Sequence, residues 1–142
     1  MYEYKLNREH ICPLEYGLKL FSGKWKTRVV CFINQRGVVR FRDIKESIAE
    51  ITEPVLAATL KELQQDELIQ KKQYDEVPLR VEYSITEKCA SVIPIMQALC
   101  SWSEEYTDLK NRGLEEPCRS CFPRDDRKRK KEMQVPKLRP AR

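Results

Sequence analysis

Residues 41–85, FRDIKESIAEITEPVLAATLKELQQDELIQKKQYDEVPLRVEYSI, decide the fold, because their hydrophobic period changes from helical to alternating partway along. In residues 41–50, Phe41, Ile44 and Ile48 recur at helical spacing on an otherwise charged segment, which predicts one short helix. A second is announced by Thr52 and Glu53 ahead of Pro54: a hydroxyl able to cap free N–H groups, an acid suited to the helix dipole, and a ring tolerated in the first turn. Val55, Leu56, Leu60 and Leu63 form its expected buried stripe. With Leu56 at the centre of that stripe and about 100° per residue, Pro54, Ala58, Lys61 and Gln65 point outward and Ala57 lies on the flank. After Leu68 the pattern alternates, with Val81, Tyr83 and Ile85 facing one way and Arg80, Glu82 and Ser84 the other. Asp75, Glu76, Val77 and Pro78 form the turn between two strands, so this hairpin projects as a wing. Helix, turn, helix and hairpin in that order predict a winged helix-turn-helix, an α+β domain that is mostly α.

The remaining elements follow from the same periods. Residues 1–10 are polar and unpatterned and are expected to form an N-terminal arm. Leu14, Leu18 and Phe21 give a first helix ending near Gly23, and Trp25, Val29, Val30 and Ile33 a second, more apolar one closed by Gly37 as a left-handed cap. Residues 38–40 suit a brief extra strand bracing the wing. The last helix starts after Thr86, a suitable N-cap, and carries Val92, Ile93, Met96, Leu99, Trp102 and Tyr106. Pro94 falls inside it, where it kinks the helix or marks the junction of two. Its apolar residues exceed what one small core accommodates, so they pack on the first helix of the same subunit or form a dimer seam.

Two amphipathic helices and a hairpin also occur in domains without any nucleic-acid role, so the pattern alone leaves a DNA reader and a protein-docking module both open. The motifs narrow the choice. CPLEYGLKLFSGKWK (residues 12–26), followed by RFRDIKESI, TEPVLAATLKELQQDELI and EVPLRVEYSITE, resembles the HxlR family of bacterial and archaeal transcription regulators, relatives of MarR. The resemblance runs in unbroken order over residues 11–106. It implies a homodimeric winged-helix protein that binds double-stranded DNA at a palindromic operator, with residues 54–65 as the recognition helix. It also implies dimer contacts by the first and last helices, hence Leu14, Leu18, Phe21, Ile93, Met96, Leu99, Trp102 and Tyr106. On that footing Lys61 and Gln65 enter the major groove, flanked by Thr52, Pro54, Ala57 and Ala58. Arg80 on the wing and Arg42 on the preceding helix hold phosphates or the minor groove, and Lys71 and Lys72 touch the backbone. One departure stands out: the family usually carries polar or basic residues where this sequence has Pro54, Ala57 and Ala58. Alanine touches a thymine methyl but cannot donate the paired hydrogen bonds that discriminate bases.

At 142 residues, 41% hydrophobic and 35% charged, the chain suits one domain with a core (residues 11–113) and a tail (residues 114–142). The first ten residues lack the apolar run of a secretion signal, and no stretch approaches the roughly 20 apolar residues that span a bilayer, so a cytoplasmic protein without membrane contact is expected. The net charge of +5 is unevenly spread. Residues 123–142 hold nine Lys or Arg against three Asp or Glu, which leaves the first 122 residues at −1. Attraction to phosphate therefore has to come from a local cluster, with or without the basic tail.

For an enzyme the inventory is poor: His10 is the sole histidine, no glycine-rich phosphate loop occurs and the acids are scattered. Neither catalysis nor a cofactor is expected, and the sequence names no small-molecule effector. Among six cysteines, Cys31, Cys89 and Cys100 lie on or beside apolar helix faces and suit a core or an interface. Cys12 stands before Pro13 at a helix entry, where free amides favour a thiolate. A cysteine there is common in the resembled family, and some members sense oxidants or electrophiles through it; a purely structural residue is the alternative. Cys118 and Cys121 form a C-x-x-C without the strand–helix context of a thioredoxin site. They are redox candidates with Cys12, and His10, Cys12, Cys118 and Cys121 together make a weaker candidate set of four zinc ligands.

Overall fold

The computed structural model describes residues 12–106, which divide after Cys89 into two compact units. The first holds helices α1 (Pro13–Leu20), α2 (Lys26–Arg36), α3 (Phe41–Ser47) and α4 (Glu53–Gln65), and strands β1 (Ile69–Tyr74) and β2 (Arg80–Ile85). Helix α5 (Glu87–Tyr106) begins in the first unit and supplies the described part of the second. This is the expected mostly helical winged helix-turn-helix.

Three helices build the core of the first unit. Val29, Val30 and Ile33 of α2, Ile44 of α3 and Leu56, Leu60 and Leu63 of α4 are almost wholly buried, joined by Ile51, Leu68 and Ile69. Each contributes about 1.5–3 kcal/mol by leaving water. The buried stripe of α4 differs from the expected one at one place. Val55 is exposed and Thr59 takes its place, because i, i+3, i+4 and i+7 counted from Leu56 select Thr59, Leu60 and Leu63. The Thr59 hydroxyl satisfies itself by donating to the Val55 carbonyl at 2.8 Å. Lys26, at the start of α2, pairs with Glu62 of α4 at 3.0 Å and ties the two helices at the rim.

Helix ends show which local signals operate. Gly37 closes α2 with a φ of +85°, a value that favours glycine, although its ψ of −71° lies outside the left-handed helical well. Helix α3 stops at Ser47, three residues short of the expected Glu50. Its start is fixed by Asp43, whose carboxylate accepts the Arg40 N–H at 2.9 Å. Thr52 occupies the N-cap of α4 in extended geometry, yet its side chain makes no capping hydrogen bond, contrary to expectation. Thr86 does cap: its oxygen accepts the Cys89 N–H at 3.2 Å, while its hydroxyl donates to the Glu67 carbonyl at 2.6 Å.

Strands β1 and β2 pair antiparallel from Ile69↔Ile85 to Tyr74↔Arg80. Val39 adds the expected bracing bridge to Tyr83, with N···O distances of 3.0 and 2.7 Å. In the second unit, Pro94 lies inside one uninterrupted helix rather than at a junction of two. Ile95, Leu99, Trp102 and Tyr106 are exposed there at helical spacing, and the Trp102 and Tyr106 rings lie 5.4 Å apart. The arm and tail expected at the two ends lie outside the described residues.

Candidate nucleic-acid interface

Helix α4 presents its polar side because its apolar side is committed to the core. Pro54, Ala57, Ala58, Lys61 and Gln65 are all exposed, as is Thr52 before them. Lys61 and Gln65 are four residues apart, so one helical turn separates the two long side chains on the same face. Without a side-chain cap the first-turn amides other than that of Pro54, which has no N–H, stay open, a geometry that favours an anion, although Glu53 beside them opposes one. The small side chains of Ala57 and Ala58 let the helix backbone approach a surface closely.

Arg42 stands on α3 with its side chain 87% exposed and holds Glu46 at 2.8 Å. Such a solvent-exposed i, i+4 pair contributes little and is readily exchanged for another anion. On the hairpin, directly paired residues share a face. Gln70, Lys72, Tyr74, Arg80, Glu82 and Ser84 therefore lie on one face, whereas Lys71 shares the other with Val81, Tyr83 and Ile85. Lys71 and Lys72 are both exposed, but the pleat points them apart.

Arg80 is more enclosed than a bare wing cation. Its guanidinium carbon lies 3.9 Å from the Tyr74 ring centroid, with Glu76 at 3.1 Å and Glu82 at 3.7 Å. Its Nε is buried without a hydrogen-bond partner. Lys72 approaches the same ring at 4.8 Å. The Tyr74–Arg80 contact was missed from sequence, yet a signal existed: these residues flank the five between the strands and so form the first cross-strand pair.

Of the expected seam, Leu14 and Leu18 are exposed on α1, and Phe21 is half-buried at its C-cap. Leu99, Trp102 and Tyr106 are exposed on α5, whereas Ile93 and Met96 are half-buried; Ile95, outside the expected set, joins the exposed row. Cys12 is exposed at the N-cap of α1. Cys89 is fully buried and its thiol is pushed up by desolvation, while Cys100 is exposed rather than part of a core. His10, Cys118 and Cys121 lie outside the described residues, among which no cluster of three or more metal-ligating side chains occurs. No described helix is long and apolar enough to cross a membrane.

Comparison with known proteins gives one consistent result. The HxlR-like helix-turn-helix family matches residues 20–111. An uncharacterized HTH-type transcriptional regulator of Methanothermobacter thermautotrophicus is 43% identical over 110 residues, covering 77% of this chain and 83% of that one. The reduced form of the transcriptional regulator YodB of Bacillus subtilis superposes with a TM-score of 0.62 at 30% identity, over 68% of this chain and 95% of YodB. YodB has also been crystallised after diamide treatment and with quinone bound. The redox regulator HypR, in its oxidized form, gives a TM-score of 0.61 at 33% identity, over 66% and 96% of the two chains.

Proposed function

The chain belongs to the HxlR-like helix-turn-helix family of transcriptional regulators, which are not enzymes, and from that premise we propose that it is a homodimer reading a palindromic operator. The observation that carries this reading is the outward side of α4, where Pro54, Ala57, Ala58, Lys61 and Gln65 stand exposed next to a projecting hairpin. Lys61 and Gln65 enter the major groove and hydrogen-bond base edges, and Ala57 and Ala58 pack against thymine methyls. Thr52, Arg42, Lys71 and Lys72 serve the sugar–phosphate backbone and set the register of the helix. Two copies related by a twofold axis place two such helices on half-sites about one helical turn apart. A cytoplasmic location goes with that target.

Selection of bound sequences from random duplex DNA tests the proposal. A twofold-symmetric motif is the expected result. Absence of any enrichment would instead favour a winged-helix module whose alanine-bearing helix docks a protein.

A second reading is favoured by Cys12 and by the relatives YodB and HypR. This thiol is exposed at the entry to α1, the helix that also exposes Leu14 and Leu18. We infer that its oxidation to a disulfide with Cys118, Cys121 or a cysteine of the second subunit, the two electrons and two protons passing to the oxidant, alters operator binding by changing how the two subunits seat. Operator affinity before and after diamide, in wild type and Cys12→Ser, decides it: the wild type alone should respond. An equal response in the variant assigns the sensitivity to another group.

A further inference from the structure

The outer face of the wing carries four charged side chains around Tyr74, and their pairing is selective. Glu82 is the cross-strand neighbour of Lys72. Opposite charges so placed ordinarily attract each other. No ion pair joins them, however; the Glu82 carboxylate lies 3.7 Å from Arg80 Nε, and Glu76 completes the grip on the guanidinium at 3.1 Å. Arg80 is only 30% exposed and is stacked on Tyr74, so engaging a phosphate would require giving up the ring and leaving two carboxylates facing DNA. Lys72 lies over the same ring at 4.8 Å, but it is exposed and no carboxylate among the described residues holds it, so it can swing away to a phosphate without stranding a partner.

We propose that Lys72 is the cation by which the outer face of the wing contacts a DNA phosphate, and that Arg80, expected from the sequence to make such a contact itself, is instead a positioning residue which keeps Lys72 available by occupying Glu82. The division of labour follows from chemistry. A guanidinium is planar, weakly hydrated and suited to stacking and to two carboxylates at once, whereas an ammonium is a compact, strongly hydrated charge on a flexible stem. Without Arg80, Glu82 turns to Lys72 and neutralises it. This inference rests on the DNA-binding reading above.

The experiment is a salt titration of binding to a fluorescently labelled mixed-sequence DNA duplex, with folding of each variant checked by circular dichroism. One lost phosphate contact lowers the slope of log K against log salt by about 0.9. Lys72→Ala is expected to lose about that much, and Arg80→Gln the same. Combining Arg80→Gln with Lys72→Ala should cost no more than either alone. Adding Glu82→Gln to Arg80→Gln should restore the wild-type slope, because the competing carboxylate is gone. A wild-type slope in Lys72→Ala, a loss of about two contacts in the double variant, or no recovery with Glu82→Gln would each overturn the proposal while leaving the DNA reading intact. Failure of the wild type to bind both this duplex and any sequence selected from random DNA would overturn both.

Discussion

In the proposed reading base discrimination falls on Lys61 and Gln65, since the other exposed residues on the outward side of α4 are Pro54, Ala57 and Ala58. Lys61→Ala and Gln65→Ala should each cost about 1–3 kcal/mol at the selected operator if they make base-edge contacts, and relax selectivity at the base pair they read. Competition between operator and mixed-sequence duplex measures this; an equal loss on both sequences would mark a phosphate contact instead. Cys89 supports a prediction of another kind. Burial raises its thiol from the ordinary 9.0, as it raises the Tyr83 phenol from 10.0. The folded state holds these protons more tightly, so the stability they contribute is fully present below about pH 9 and is lost as pH rises through the higher folded values. Urea midpoints should therefore fall on the alkaline side, and Cys89→Ala should remove the part that sets in first. At this scale the sequence was a partial guide. Exposure of Lys61 and Gln65 follows from period alone, but whether Thr52 caps depends on a rotamer, and the bonding of Arg80 depends on strand register.

Elements were more legible than residues, because periodicity averages over many positions. All five helices, both strands and the bridge at Val39 were expected from the pattern. Helix α3 ends earlier than its period implies: Ile48 is buried and keeps the helical spacing, but the chain turns there with φ −110° and ψ 73° to deliver Ile51 to the core. Tertiary packing overrode local period. Thr86 was recognisable as an N-cap, whereas its second bond was not, since the Glu67 carbonyl lies 19 positions away and is brought near by the hairpin. That double role raises the cost of losing the hydroxyl. Thr86→Ala should destabilise by about 1–2 kcal/mol, at the upper end for a cap, and Thr86→Ser should retain most of the stability. Urea unfolding of the three proteins makes the comparison. Equal stability of the alanine and wild-type proteins would assign the junction between β2 and α5 to packing alone.

At the scale of the whole molecule, α1 and α5 both expose apolar side chains among the described residues. Leu14 and Leu18 on α1 are 68% and 59% exposed, and Ile95, Leu99, Trp102 and Tyr106 run along one side of α5. Soluble monomers seldom leave such continuous rows open, and aromatic residues in them are the usual anchors of an interface. The sequence showed the excess on the last helix; it did not show that Ile95 belongs to the outward row, because Ile93, Ile95 and Met96 all fit an amphipathic helix until burial separates them. Light scattering at micromolar concentration should therefore give about twice the 16.9 kDa chain mass. Leu99→Lys with Trp102→Glu should shift the species toward one chain, since both side chains are exposed and charged replacements there do not enter a core. The same variant should bind a single half-site as the wild-type chain does and lose the added affinity for the full palindrome, because only a fixed pair of α4 helices gains from two half-sites in register. If the variant remains a dimer, the seam lies elsewhere; if the wild type is monomeric, a palindromic operator has no twofold partner to match.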